Sequence, residues 1–305
     1  MTTSAAKPKL IVIVGPTASG KSDLAVRMAQ KYNGEVISAD SRQVYTGLDI
    51  GTGKITTAEM QGVPHHLLDV MSPHERMTAI DWKVLAEKAI DDIISRGKLP
   101  IICGGTGFYI SALIDDLGFP DVEADTDEQK ELEEKSVDEL FIELKKVDPA
   151  RSSTIDPKNK RRLARAIIIA RRLGAVPPVT KPVEPKYDVL MIGIKWSDEE
   201  LKDRIQKRLI SRVDGGMIEE AQKLNSPEGV NLSFERMEEM GLEYRYLAYL
   251  LKKELTKEQL VERLSSKIWQ YAKRQMTWFK KDTRIQWFAP NEFGDAEKKI
   301  EEFTK

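Results

Sequence analysis

The chain has 305 residues, 41% hydrophobic and 32% charged, with a formal net charge of −1. That length suits one large domain or two smaller ones, and the balance describes a solvated globular protein, neither disordered nor fibrous. No run of roughly 18 apolar residues occurs, so nothing in the sequence reads as a membrane-spanning helix.

Residues 1–9 are polar and lack the apolar stretch of a secretory signal, which points to the cytoplasm. The lone cysteine, Cys103, excludes an internal disulfide and a multi-cysteine zinc site. Residues 10–14 (LIVIV) form an apolar run ending at Gly15, the pattern of a fully buried strand. Residues 22–32 then carry helical spacing at Leu24, Ala25, Met28 and Ala29. Residues 35–39 (EVISA) predict a second strand, running into Asp40. Residues 81–95 predict an amphipathic helix stopped by Gly97, and residues 99–103 (LPIIC) a third buried strand closed by Gly104 and Gly105. Strands alternating with helices predict a parallel sheet covered on both faces.

Beyond Leu117 the pattern changes. Residues 121–134 hold eight carboxylates and one lysine, whereas residues 151–172 hold eight basic residues and one aspartate. Such a basic patch suits phosphate contact more than the net charge suggests, although a solvated helix face has the same composition. Residues 175–187 contain four prolines and read as a linker, after which residues 188–194 (DVLMIGI) return to a buried-strand pattern. The predicted fold class is α/β: a P-loop parallel-sheet core, residues 1–118 and 186–305, with an inserted helical domain at 119–185 and C-terminal helices. Residues 267–284 are basic and include Trp269, Tyr271, Trp278 and Phe279; aromatics near Trp278 could stack on RNA, but their helical spacing favours core.

The chemistry begins at Gly15-Pro16-Thr17-Ala18-Ser19-Gly20-Lys21-Ser22, which fits G-x-x-x-x-G-K-[ST] between a predicted strand and a predicted helix. Such a loop curls backbone N–H groups around a diphosphate at a helix N-terminus. Lys21 supplies charge to the terminal phosphate, and the Ser22 hydroxyl is the candidate ligand for Mg²⁺. The buried strand at 99–103 ends in Gly-Gly-Thr with no carboxylate; the acid that follows a strand is Asp40, in Asp40-Ser41-Arg42-Gln43. Asp40 could be the metal-side acid of an NTPase, a base facing a second substrate, or a turn cap. His65 and His66 beside Asp69 lack a third nitrogen ligand and read as hydrogen-bonding residues, not a zinc site. Cys103 reads as an inert buried thiol.

The strings GPTASGKS (15–22), ISADSRQVYTGLDIGTGK (37–54), GVPHHLLD (62–69), GGTGFYI (104–110), RRLARA (161–166) and KRQMTWF (273–279) occur in this order. Together they resemble the bacterial tRNA dimethylallyltransferases, also called tRNA isopentenyltransferases. The resemblance implies transfer of a dimethylallyl group from dimethylallyl diphosphate to N6 of adenosine 37, on a P-loop enzyme whose inserted helical domain grips the anticodon stem-loop; a monomer is expected, although the sequence does not give the oligomeric state. It assigns Asp40 as general base, Thr17 and Arg208 to the leaving group, and residues 15–22 to the diphosphate, with Mg²⁺ at Ser22. Asp40, Ser41, Arg42, Gln43, Thr106, Arg161, Arg162, Arg165, Lys273, Arg274 and Gln275 are implied tRNA contacts. Arg204 and Arg208 lie four apart, so one helix face could present both; an exposed, salt-bridged Arg208 is the alternative. Two departures from the family pattern are present: Ser22 where threonine is commoner, and Gly241-Leu-Glu-Tyr-Arg245 in place of Gly-Tyr-(Lys/Arg)-Glu. The competing readings are a P-loop kinase of a small metabolite or nucleotide, an RNA-binding NTPase, and a prenyltransferase acting on free adenine nucleotides. Whether ATP enters the loop is left open by the sequence.

Overall fold

The computed structural model describes residues 7–120, 122, 126–180, 182 and 184–305. Expectations for residues 1–6, for 121 and 123–125 of the acidic stretch, and for 181 and 183 of the proline-rich segment fall outside these. Two compact units result: Met1–Asp116 with Glu184–Lys305, and Leu117–Val183.

The larger unit is built on six parallel strands: β1 Lys9–Val14, β2 Gly34–Ala39, β3 His65–His66, β4 Leu99–Gly104, β5 Asp188–Ile194 and β6 Ile285–Phe288. Their order across the sheet is β3-β2-β4-β1-β5-β6, with every adjacent pair parallel. β1 and β4 read as continuous apolar runs because both faces of the sheet are covered. Alternate side chains of β1 therefore enter different cores. Leu10, Val12 and Val14 pack with Trp82, Ile90 and Ile110. Ile11 and Ile13 pack with Leu24 and Met28 of the helix Lys21–Lys31 and Ile300 of the helix Phe293–Thr304. Each such fully buried aliphatic side chain contributes about 1.5–3 kcal/mol.

β3 and β6 were not legible in the sequence. β3 has only two residues, and β6 (IQWF) is an edge strand following a long helix, Lys257–Phe279, in a stretch that reads as helical. Because β4 and β5 flank β1 on opposite sides, the carboxyl ends of β1, β2 and β4 open where the chain diverges to either side of β1, the usual place for a ligand in an open α/β sheet.

The Leu117–Val183 unit packs the helices Thr126–Glu134, Val137–Val147 and Lys160–Leu173 around Leu132, Leu140, Leu144, Leu163 and Ile167. Part of the apparent charge asymmetry cancels here. Arg171 pairs with Glu128 at 2.8 Å and also with Glu143, and Arg172 pairs with Glu128 at 3.4 Å. Among the described residues, no helix is long and apolar enough to cross a membrane.

Candidate active site

The loop after β1 wraps back on itself before the helix Lys21–Lys31. Lys21 Nζ donates to the Pro16 carbonyl at 3.3 Å. Burial is the main cause holding the Lys21 pKa below its ordinary value; Arg208 pushes it further down, against the attraction of the Asp40 carboxylate. The loop is gripped from behind by two residues of a distant segment. Trp196 Nε1 donates to the Ser19 carbonyl at 2.9 Å, and Arg204 Nε donates to the Ala18 carbonyl at 2.8 Å. The Arg204 guanidinium lies 4.3 Å from the centre of the Trp196 ring, so the two braces support each other.

Asp40 ends β2 and turns the chain. Its Oδ1 accepts from the backbone N–H groups of Arg42 (2.8 Å) and Gln43 (3.3 Å), so one oxygen does cap a turn while the side chain still lines a cavity. Ser41 N–H donates to Thr106 Oγ1 at 3.0 Å, and Thr106 N–H donates to the Ala39 carbonyl at 3.0 Å. Thr106 thereby fixes the Asp40 turn against the end of β4.

The following loop is held by charged residues from two helices, Asp198–Arg212 and Ile218–Asn225. Glu220 accepts from the N–H groups of Asp49, Ile50 and Gly51 at 3.0, 2.6 and 2.9 Å, and from Tyr244 Oη at 2.8 Å. Arg212 Nη1 donates to the Gly51 carbonyl at 2.8 Å, and Arg208 Nη2 to the Gly53 carbonyl at 2.9 Å. Gly53 has φ +60°, and a Cβ there would collide with the Arg208 guanidinium, so only glycine fits. Arg208 is largely enclosed, and burial lowers its pKa, with Arg212 adding to the shift. The exposed, salt-bridged alternative for Arg208 is therefore excluded.

Two cavities open on this framework. One, of about 490 Å³, is lined by the loop residues Ala18–Ser22 and by the cations Arg204, Lys207 and Arg208. The other, of about 650 Å³, is lined by Thr17, Asp40, Ser41, Arg42 and Gln43 and also by Tyr246, Tyr271 and Arg274. Lys21, Ser22, Gly53 and Arg208 line both, so the two spaces meet at the phosphate loop.

Several expectations change in this setting. Gln275, expected as an RNA contact, is only 6% exposed. Its Oε1 accepts from Thr17 N–H at 2.9 Å and its Nε2 donates to the Gly105 carbonyl at 3.0 Å. A Cβ at Gly105 would strike that amide, so a larger residue there would displace Gln275. Gln275 thus ties the phosphate loop to the turn that carries Thr106, and both ends of its amide are occupied. Arg165 is half-buried and donates to the Val122 carbonyl at 2.8 Å, so it braces its own unit, while Arg161 and Arg162 are exposed on the same helix. Trp278 is not core: it is 41% exposed and meets Phe108 edge-to-face. Lys273 is exposed, with its ammonium 5.4 Å from the centre of the Trp269 ring, and Arg274 reaches the cavity wall.

The histidines serve hydrogen bonding. His65 Nδ1 faces the Val63 carbonyl at 2.9 Å, His66 Nε2 faces the buried Glu35 at 2.7 Å, and His74 Nε2 faces the Val230 carbonyl at 2.9 Å. Among the described residues no group of three or more His, Cys, Asp or Glu could hold a metal. A divalent ion here would rest on the Ser22 hydroxyl, phosphate oxygens and water, a donor set that suits Mg²⁺, which keeps most of its waters. Cys103 is buried beside this site, and burial pushes its thiol up to about 11, leaving it protonated and unreactive at neutral pH. Arg204, Arg208 and Arg212 recur every four residues, a spacing that marks one helix face; Trp196 and Glu220 carry no comparable local signal.

A family model described as IPP transferase matches residues 43–282. The chain is 41% identical over 296 residues to the tRNA dimethylallyltransferase of Staphylococcus epidermidis, covering 93% of this chain and 88% of that one. Its fold is similar to the crystal structure of the full-length tRNA isopentenylpyrophosphate transferase of Bacillus halodurans, with TM-score 0.71, 36% identity and 97% of both chains covered. It is also similar to a eukaryotic dimethylallyltransferase captured acting on tRNA, with TM-score 0.77 and 27% identity, covering 92% of this chain and 74% of that one.

Proposed function

The chain belongs to the IPP transferase family, and we propose that it transfers a dimethylallyl group from dimethylallyl diphosphate to N6 of adenosine 37 in tRNA. The observation that carries this reading is the junction of the two cavities at Lys21, Ser22, Gly53 and Arg208. One side offers cations for a diphosphate; the other offers a carboxylate and an amide for an adenine. A kinase of a small metabolite shares the phosphate loop, but the match to IPP transferases displaces it.

Each residue has its share of the chemistry. The allylic C1–O bond breaks with charge gathering on the diphosphate, where Lys21, Arg208 and the loop N–H groups stabilise it. The adenine N6 lone pair forms the new C1–N bond. An aromatic amine is a weak nucleophile, so the N6 proton must leave as that bond forms, and the Asp40 oxygen not engaged in the turn accepts it. Gln43 and Ser41 are at hand to orient the base edge, since an amide both donates to and accepts from adenine. Gln275 keeps Thr17 and the Thr106 turn in register, which holds the two substrates' loops together. Mg²⁺ at Ser22, when bound, neutralises part of the leaving group's charge.

Arg161 and Arg162 are assigned to the anticodon stem. They occupy the first turn of the helix Lys160–Leu173, where the helix dipole disfavours cations, so their presence there is better explained by RNA phosphates than by stability. ATP carries the same group that the loop grips, and in this reading it competes without reacting. The enzyme works as a monomer in the cytoplasm.

The test is incubation with Mg²⁺ and unmodified tRNA, adding either dimethylallyl diphosphate or ATP, followed by nucleoside mass analysis. Dimethylallyladenosine should form with the allylic diphosphate alone. Product that requires ATP hydrolysis would refute the proposal.

A further inference from the structure

The residues 241–249, which begin with the departure from the family pattern at 241–245, divide cleanly by what each touches. Glu243 pairs with Arg212 at 3.3 Å, and the buried Tyr244 donates to Glu220, so both support the loop at 49–53. Tyr246 and Tyr249 do not hold that loop, although Tyr246 packs in part against the core. In the helix Leu242–Leu251 the residues Leu242, Arg245, Tyr246 and Tyr249 share one face by the i, i+3, i+4, i+7 rule, and all four line the larger cavity. Tyr244, Leu247 and Ala248 are buried on the other face. Both tyrosine rings are half-buried and meet edge-to-face, with centroids 5.8 Å apart.

The charges around them have a matching pattern. The acids of the same cavity wall are already neutralised: Glu239 by Arg76 and Arg236, Glu243 by Arg212. The cations are not. Among the described residues, Arg42, Arg245, Lys267 and Arg274 line the cavity without a carboxylate partner, their polar contacts going to a carbonyl, an amide or the Tyr271 ring. Aromatic rings among unpaired cations, facing a cavity larger than one base needs, form a surface for single-stranded nucleic acid.

We propose that Tyr246 and Tyr249 are a stacking platform for a base adjacent to the acceptor adenosine. This deepens the transferase reading and rests on it. The acceptor itself requires edge contacts, which the Asp40–Gln43 turn offers. The tyrosines come from a different element, the helix Leu242–Leu251, and offer ring faces and edges, which hold a neighbouring base whatever its identity. The cations take the phosphates between the two nucleotides.

The experiment measures binding of the full chain to an anticodon stem-loop, intact or made abasic at each position flanking the acceptor. Wild-type protein should bind about 10-fold more weakly at one abasic position, in line with one stacked base. Tyr246→Leu with Tyr249→Leu should weaken by about the same factor on intact RNA and no further on that abasic RNA. Tyr246→Phe with Tyr249→Phe should restore the wild-type pattern, which a merely structural effect of the hydroxyls would not. Equal affinity of the leucine variant and wild type for intact RNA, or an abasic penalty that persists in that variant, would overturn the proposal. Should the leucine variant fail to fold, the wild-type scan decides: no penalty at any flanking position overturns it equally. Binding is read without turnover, so wild-type protein that shows this coupling yet transfers no prenyl group would sink the transferase reading alone.

Discussion

Replacing Asp40 with asparagine isolates the proposed proton transfer from everything else that residue does. In the structure Asp40 Oδ1 accepts from two backbone N–H groups, and an asparagine Oδ1 accepts from them equally, so the turn that presents Ser41 and Gln43 survives. Only the second oxygen changes, from an acceptor of a proton to an NH₂ group that cannot take one. Loss of a general base costs about 10²–10⁴ in rate, or roughly 3–5 kcal/mol in the barrier. Asp40→Ala should be worse than Asp40→Asn in stability by about 1 kcal/mol or more, because it strips both N–H groups of their acceptor. The assay is single-turnover prenylation with enzyme in excess, accompanied by separate dissociation constants for tRNA and for dimethylallyl diphosphate. The rate should fall within the stated range while both constants stay near wild type, because the base acts in the transition state. Near-normal turnover would remove Asp40 from the chemistry. Weakened diphosphate binding with a raised Mg²⁺ requirement would make it a metal-side acid instead.

Gln275→Leu leaves the Thr17 N–H and the Gly105 carbonyl buried without partners, which costs about 2–4 kcal/mol. Thermal unfolding should shift down and dimethylallyl diphosphate should bind more weakly, and a variant of unchanged stability that loses only tRNA affinity would mean that Gln275 meets RNA after all. Arg161→Ala with Arg162→Ala should flatten the log–log salt dependence of tRNA binding by roughly 0.7 for each phosphate that is no longer neutralised. Unfolding of that variant should be unchanged or slightly improved, since both cations leave a helix N-terminus; an unaltered salt slope refutes the assignment. For Lys21, bound diphosphate favours the ammonium form, so diphosphate affinity should fall as pH rises through the lowered pKa, below the ordinary 10.5. In the same window the unfolded chain binds more protons than the free folded protein, so the stability of the free protein should rise with pH. Lys21→Met should remove that limb of the affinity profile, and its persistence would assign the titration elsewhere.

The fold was largely legible from local patterns. β1, β2, β4 and β5 are apolar runs of strand length because a doubly covered parallel strand has no solvent face, and the phosphate loop between β1 and its helix is a fixed spacing of Gly, Lys and Ser. The positions of Asp40 and Thr106 follow directly, since each ends or follows a strand at the same edge of the sheet. β6 and β3 were hidden because a short edge strand offers too few residues to establish a period. What only the tertiary structure decided is which polar residues work inside the site. Gln275 lies in a string that resembles an RNA contact, yet it bonds to Thr17, 258 residues away in sequence. Arg165 and Arg171 belong to one basic stretch with Arg161 and Arg162, yet the first two are committed to partners within their unit. Trp278 has the spacing of a core residue and is exposed. The reason is physical: hydrophobic periodicity is a local consequence of burial and can be read along the chain, whereas a buried amide or guanidinium is defined by the backbone group that happens to meet it, and packing alone brings that group there.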